Sequence, residues 1–213
     1  QRLAARDQDE AAEVSLKVAT EKSPTEAFEQ VVIPALCMAR QDAEEGDLDP
    51  TALQFVIRGA REVVAELAEQ RELSPQATDE TRVGVLIVPA RDEAEHVAAE
   101  ILAVTLDPTR WTTRVASDEL LASELIATVS EERPAVVVLL TLPPGGLSHC
   151  RYLVSRLRTK CPDVRILVGR WGEYPLDNAA DGSSAGIKGV DAISRTLSET
   201  QKQLAELQPI LAA

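Results

Sequence analysis

The sequence contains few aromatic residues, few histidines and few cysteines, and each shortage narrows what the chain can be. Phenylalanine, tryptophan and tyrosine together make up 3% of the 213 residues, so the core must be built from valine, leucine, isoleucine and alanine. The two histidines form no H-E-x-x-H motif, and no G-x-S-x-G motif is present. The sequence therefore contains no recognisable hydrolase or metal-binding motif, and we predict a protein that is not an enzyme and holds no metal.

The cysteines and the net charge restrict further the class of protein that the chain can belong to. Cys37, Cys150 and Cys161 are odd in number and widely spaced, which argues for free thiols in a reducing compartment. The formal net charge is -13, and a surface this acidic repels nucleic acid phosphates and anionic lipid headgroups. No apolar run approaches the roughly 18 residues needed to span a bilayer. We therefore expect neither nucleic-acid binding nor insertion of this chain into a membrane.

Two stretches of different periodicity divide the chain. Residues 1–73 carry helical spacing only, and helices are predicted over residues 3–20, after Ser23-Pro24 and after Asp49-Pro50. The second of these begins with an N-cap serine and a capping-box glutamate, and Pro34 should kink it. Residues 74–81 are polar, contain proline and show no periodicity, which predicts a linker. We thus predict a small all-helical subdomain, a linker, and a second domain over residues 82–213.

The second domain alternates strand and helix patterns. Strands are predicted at residues 83–88, 113–116, 135–141, 164–168 and, more weakly, 190–193, and helices at 93–104, 118–132, 146–160 and 198–207. Strands this apolar suit a parallel sheet buried on both faces, and helical crossovers of ten or more residues join parallel strands. The predicted fold class is α/β: a five-stranded parallel, doubly wound sheet, flavodoxin-like, preceded by the helical subdomain.

Ligands of such a sheet bind at the carboxyl ends of its strands. Three loops form this edge, and together they define a candidate ligand or partner site: Arg91, Asp92, Thr141, Pro143, Gly145, Gly146, Gly169, Arg170 and Trp171. Asp92 is expected to cap the helix that follows it. The two glycines either open the next helix or let the backbone approach something closely. The tryptophan either stacks on a planar ligand or partner, or covers the sheet edge.

The histidines are not expected to do chemistry at this edge. His96 falls one turn into a helix, on a solvated or half-buried face. His149 and Cys150 are adjacent on a predicted helix, where neighbouring side chains diverge by about 100°, so they cannot work as a thiolate–imidazole pair. We therefore assign no catalytic residue and no cofactor-binding residue.

The loop after the first strand resembles the D-x-H-x-x-G loop of cobalamin-binding domains, in which the histidine ligates cobalt. This chain reads Asp92-Glu93-Ala94-Glu95-His96-Val97, so Ala94 stands at the ligand position. The family's S-x-L corresponds to Leu140-Thr141-Leu142, and its G-G, an opening that the nucleotide tail of the cofactor needs, to Gly169-Arg170. The resemblance implies a cobalamin-domain fold with a helical cap that does not bind the cofactor in the usual way.

Three stretches carry a closer resemblance: FEQVVIPALCMARQD, LIVPARDEAEHVAAEIL and LTLPPGGLSHCRYLVSRLRTKCPDVRILVGRWG. They resemble the cytoplasmic C-terminal region of some autoinducer-2 exporter-like transporters, which are multi-pass bacterial membrane proteins. The resemblance implies a non-catalytic regulatory or interaction domain on the cytoplasmic side of the bacterial inner membrane. Its partner would be another protein, its own membrane domain or a second copy. Because Gln1 enters directly into a helical pattern, we expect the membrane part to precede it.

Two alternatives stay open. A cobalamin carrier or sensor would bind the cofactor base-on, with the cofactor's own lower ligand in place of a histidine, although Leu140 and Arg170 oppose this by their bulk. A receiver domain of the response-regulator type shares the strand order, but it needs an aspartate after the third strand, where Thr141 stands.

Overall fold

A computed structural model describes residues 23–72, 82–172 and 187–211. The chain divides into two compact units, Gln1–Pro75 and Gln76–Ala213. The helix predicted over residues 3–20 and the linker predicted over residues 74–81 lie outside the described residues, as does most of the segment between the fourth and fifth strands.

The described part of the first unit holds two helices: α1, which runs through Pro24–Ala27, Phe28–Val32 and Ile33–Glu45, and α2, Pro50–Glu72. Ser23 caps α1, because its hydroxyl accepts a hydrogen bond from the backbone N–H of Glu26 at 3.2 Å. The second of the three segments is π-helical and ends two residues before Pro34. Since proline has no N–H to donate, the irregularity predicted at this residue takes the form of a widened turn.

A short turn joins the two helices. Gly46 ends α1 with φ of 85°, in the left-handed region that favours glycine. Asp49 begins α2, since its Oδ1 accepts from the backbone N–H groups of Thr51 at 2.8 Å and Ala52 at 3.0 Å. The apolar residues that recur at helical spacing in the two helices are mostly buried: Phe28, Val32, Leu36, Ala39, Val56, Ile57, Ala60, Val63 and Val64.

The described part of the second unit alternates strands and helices: β1 Val83–Pro89, α3 Glu93–Thr105, β2 Trp111–Val115, α4 Ala122–Glu132, β3 Val136–Thr141, α5 Leu147–Lys160, β4 Arg165–Arg170, β5 Ala192–Ser194 and α6 Leu197–Leu211. These five strands are all parallel, in the order β2-β1-β3-β4-β5. The predicted α/β fold class is thus confirmed.

Several predicted boundaries were wrong by two or more residues. The fourth strand ends at Arg170 and not at 168, the fifth begins at Ala192 and not at 190, and the last helix ends at Leu211 and not at 207. The helix predicted from residue 118 begins only at Ala122, because the N–H of Leu120 donates to the carbonyl of Ser117 in a turn. Glu124 then caps the helix by accepting from the N–H of Leu121 at 2.8 Å. The strand predicted at residues 113–116 begins two residues earlier, at Trp111.

The sheet is covered by helices on both faces. Every residue of β3 is buried, because this strand lies at the centre of the sheet. Val137 and Leu139 belong to the apolar cluster that α4 and α5 line on one face. On the other face α3 and α6 lie side by side, since Gln201 of α6 donates to the carbonyl of Thr105 at 3.4 Å. Alternate side chains of each central strand thus point to opposite faces of the sheet and pack into two separate cores.

The junction between β4 and β5 is held by the carboxylate of Asp191. This carboxylate accepts from the backbone N–H of Ile166 at 2.8 Å and from Arg165 at 2.9 Å, and it forms an ion pair with Arg158. Burial alone raises the pKa of Asp191, but the Ile166 N–H and the two guanidinium groups outweigh it. The pKa is therefore lowered from 3.8.

Asp191→Asn is expected to lower the free energy of unfolding at pH 7 by about 1–2 kcal/mol, because the charge-assisted hydrogen bonds are lost. The native pKa of Asp191 lies below its unfolded value. Its contribution is therefore present above about pH 4 and is lost as the pH falls through the native pKa. Urea denaturation at several pH values should show the difference between variant and wild type shrinking below pH 4. A constant difference, or an equal loss in the exposed control Asp163→Asn, would contradict this assignment.

Candidate functional site

The loops that leave β1, β3 and β4 meet at the carboxyl edge of the sheet. The backbone N–H of Ala90, just after β1, donates to the carbonyl of Leu140 at 2.9 Å. The N–H of Trp171, just after β4, donates to the carbonyl of Thr141 at 3.2 Å. The structure therefore places the predicted candidate residues along one continuous edge, as the parallel topology requires.

The first loop is used to start α3. Asp92 caps the helix, because its Oδ1 accepts from the backbone N–H of Glu95 at 3.2 Å. Its Oδ2 lies 3.2 Å from Nε of Arg91, so the two candidate residues form an ion pair with each other. Ala94 lies in the first turn of α3 and is 2% exposed. His96 is half-buried, with its two ring nitrogens 3.6 Å from carboxylate oxygens of Glu100 and Asp118.

Glu95 connects the first loop to the second. Its side chain is fully buried, although glutamate is almost never fully buried without polar partners. Its Oε1 accepts from the hydroxyl of Thr141 at 2.9 Å and from the backbone N–H of Leu142 at 3.1 Å. The carboxylate of an α3 residue thus fixes the chain at the point where it leaves β3.

The glycines of the second loop allow this close packing. Gly146 precedes α5 with φ of 80°, and a Cβ at this position would lie 2.2 Å from Oγ1 of Thr141 and 3.2 Å from Oε1 of Glu95. Any larger residue would collide with the hydroxyl. Of the two roles left open for the glycines, Gly146 therefore fills both: it opens α5, and it approaches side chains of the same protein closely. Pro143 and Pro144, which precede the glycines, are buried and joined by a cis peptide bond.

Cys150 lies one turn into α5 and is fully buried. Burial raises the pKa of its thiol to about 12, and the charge of Glu95 adds to the rise, whereas Arg170 and Arg151 lower it. A thiol with this pKa is protonated at neutral pH and is not a nucleophile. His149 points elsewhere, since its ring lies 6.0 Å from the ring of Tyr152.

The third loop closes the edge. The indole of Trp171 is 1% exposed, and its Nε1 donates to the hydroxyl of Thr200 in α6 at 2.9 Å. Thr200 in turn shares a hydrogen bond of 2.6 Å with Ser194 at the end of β5. Of the two roles that the sequence leaves open for the tryptophan, the geometry corresponds to covering the sheet edge.

Gly169 and Arg170 complete this packing. A Cβ at Gly169 would lie 2.4 Å from Cδ2 of Leu140 and 2.9 Å from Nε1 of Trp171, so no side chain fits there. Arg170 donates from Nη1 to the carbonyl of Gly145 at 2.8 Å and joins the third loop to the second. The three loops are therefore tied to one another by Glu95, Arg170 and Trp171.

Sequence reasoning missed Glu95, Thr200 and Ser194. The signal for Glu95 was its spacing, since it precedes Ala98, Ala99 and Leu102 on an apolar helical stripe. Thr200 lies between Leu197 and Leu204 in the same way, and all three residues are buried. A polar residue within an apolar stripe marks an internal hydrogen bond.

In the part of the chain that the structure describes, no group of three or more histidine, cysteine, aspartate or glutamate side chains is arranged to hold a metal ion. None of the helices in residues 23–72, 82–172 and 187–211 combines the length and the apolar character that crossing a membrane requires.

No family model and no curated protein matches the chain. Its structure is similar to the monomethylamine corrinoid protein of Methanosarcina barkeri, with a TM-score of 0.68 and 12% identity, over 97% of this chain and 94% of that chain. At this identity the similarity shows the fold alone. The fold of the chain is that of a cobalamin-binding domain.

Two further solved structures are similar at lower TM-scores. A cobalamin-binding protein from Desulfitobacterium hafniense DCB-2 has a TM-score of 0.48 and 15% identity, over 97% of this chain and 95% of that chain. The methanol:cobalamin methyltransferase complex MtaBC from Methanosarcina barkeri has a TM-score of 0.49 and 12% identity, over 98% of this chain and 77% of that chain.

Proposed function

We propose that the chain is a non-catalytic regulatory or interaction domain of a bacterial multi-pass membrane transporter, with a cobalamin-type fold that has lost the cobalt-ligating histidine. The observation that carries the proposal is the closed carboxyl edge of the sheet. Trp171 packs beside Gly169, and Glu95 packs against the start of α5. The chain itself fills the place where ligands of this kind of sheet bind.

The residues at this edge do not fit a corrinoid held in the way the family resemblance implies. Ala94, at the ligand position, has no atom that can coordinate a metal, and it is buried. His96 lies two residues further on, with its ring nitrogens directed at Glu100 and Asp118. At Gly169, where the family motif provides an opening for the nucleotide tail, the space is filled by Leu140 and Trp171.

The motifs shared with transporter tails coincide with the residues that close the edge. The P-A-R-D-E-A pattern contains Asp92, which caps α3, and directly precedes the buried Glu95. The L-P-P turn contains Leu142, whose N–H Glu95 accepts, and it leads to Gly145 and Gly146. The shared residues therefore have structural roles, which supports a regulatory or interaction domain rather than an enzyme.

A titration with hydroxocobalamin and adenosylcobalamin tests the closed edge. We expect the purified chain to retain no corrinoid absorbance after desalting, because neither a ligand nor an opening is present. The corrinoid protein of Methanosarcina barkeri, treated in parallel, is the positive control. Retained red protein with a base-on spectrum would overturn the proposal and favour the second candidate, a cobalamin carrier or sensor, which the similarity in fold supports.

The transporter context is tested by the reading frame that contains the codon for Gln1. We expect segments of about 20 apolar residues to be encoded upstream of it. A frame that encodes a complete soluble enzyme and no such segments would contradict the transporter context, whatever the corrinoid titration shows.

A further inference from the structure

Helix α5 differs in charge from the rest of the molecule. It contains Arg151, Arg156, Arg158 and Lys160 and no acidic residue. Since the whole chain carries a formal charge of -13 and α5 carries +4, the other residues together carry -17. A basic helix in so acidic a chain makes the electrostatic potential around α5 more positive than around the rest of the molecule.

Only one of the four cations is used internally. Arg158 donates to the carbonyls of Pro162, Val164 and Gly189 and forms an ion pair with Asp191. Within residues 23–72, 82–172 and 187–211, the side chains of Arg151, Arg156 and Lys160 form no ion pair or hydrogen bond. This is so although the chain contains 35 acidic residues.

Aromatic rings lie on the same outer face of α5. Tyr152 is 49% exposed, and its ring lies 6.0 Å from that of His149, which is also exposed. His149, Tyr152, Arg156 and Lys160 follow one another at intervals of three or four residues, so they form one row along the helix. Tyrosine and arginine are the residue types enriched at the energetic centres of protein interfaces.

We propose that this outer face of α5, formed by His149, Tyr152, Arg156 and Lys160, docks an acidic segment of a partner protein. Carboxylates of the partner pair with Arg156 and Lys160, and an apolar side chain covers Tyr152. From His149 to Lys160 the row measures about 16 Å, which an acidic helix of three turns spans. The proposal rests on the interaction role proposed above and names the chemistry of the partner.

The charge distribution favours a protein segment over the other occupants. An anionic bilayer presents a wide surface that is repelled by the net charge of -13 of the chain, and two cations contribute only about 1 kcal/mol each to lipid binding. Two copies of this chain repel each other, because each carries a net charge of -13. A segment one helix wide contacts only the row, so it gains the attraction of Arg156 and Lys160 and exposes less of its own charge to the rest of the acidic chain than a bilayer or a second copy would.

The test is a fluorescence anisotropy titration of the full chain with a labelled 16-residue helical peptide of glutamate, alanine and leucine. We expect binding that is lost when the glutamates of the peptide are replaced by glutamine. Arg156→Glu combined with Lys160→Glu should weaken binding at least tenfold, and Tyr152→Ala by about fivefold. The control is Arg110→Glu combined with Lys202→Glu, which changes the net charge by the same amount as the first double variant but on the α3/α6 face. It should weaken binding of the peptide less than twofold.

Four results would overturn the proposal. The first is that the wild type does not bind the acidic peptide, and the second is that both double variants lose affinity equally, which would report only the overall charge. The third is that phosphatidylserine vesicles bind the chain through the same residues, and the fourth is that sedimentation shows a dimer that Arg156→Glu with Lys160→Glu dissociates. Retained corrinoid would instead overturn the proposed function and leaves the peptide titration unaffected, so the two failures are distinguishable.

Discussion

Replacing Trp171 with alanine is expected to lower the free energy of unfolding by about 4 kcal/mol. The indole is 1% exposed and lies between the end of β4 and helix α6. Its removal leaves a cavity, because Gly169 beside it has no side chain that could move into the space. It also removes the donor that the buried hydroxyl of Thr200 uses. Urea denaturation followed by circular dichroism measures the change.

Two milder substitutions separate the volume of the indole from its hydrogen bond. Trp171→Phe keeps an aromatic ring and loses the N–H, so we expect a loss of about 1–2 kcal/mol. Thr200→Val removes the acceptor and should cost about 1 kcal/mol. A loss below about 1 kcal/mol for the alanine variant would mean that the indole does not close the edge. The argument against corrinoid binding would then fail as well.

The central strands and the parallel topology were predictable because they follow from local composition. β3 and β4 are short, nearly uninterrupted apolar runs, and such runs indicate a strand with helices on both faces. The start of α4 was not predictable from periodicity. It depends on two local hydrogen bonds, in which Ser117 accepts from the N–H of Leu120 and Glu124 accepts from the N–H of Leu121. A helical pattern extends over such a boundary without marking it.

The position of the candidate site was predictable, but its contents were not. Parallel topology alone brings Asp92, Thr141 and Arg170 to one edge. Sequence does not show that Trp171 is covered by Thr200, because the two are 29 residues apart and meet only through the packing of α6. The same holds for Glu95 and Thr141, which are 46 residues apart. Contacts of this kind decide whether an edge is open to a ligand or filled by the chain.

Glu95→Ala is expected to lower the free energy of unfolding by about 3 kcal/mol. The substitution leaves the backbone N–H of Leu142 and the hydroxyl of Thr141 without their acceptor in a buried place, and each such loss costs about 1–3 kcal/mol. Gly146 cannot relax into the space while its left-handed backbone starts α5. Urea denaturation at pH 7 measures the loss.

Glu95→Gln is the matched control, because the amide oxygen can still accept both hydrogen bonds while the charge is gone. We expect it to lose less than half as much as the alanine variant. It should also lower the pKa of Cys150 from about 12, because the Glu95 charge is one of the two causes of the rise. A pH titration of the ultraviolet absorbance of the thiolates then shows that one of them forms at a lower pH in the variant. If both variants were as stable as the wild type, Glu95 would not hold the second loop, and the edge would be free to open for a ligand.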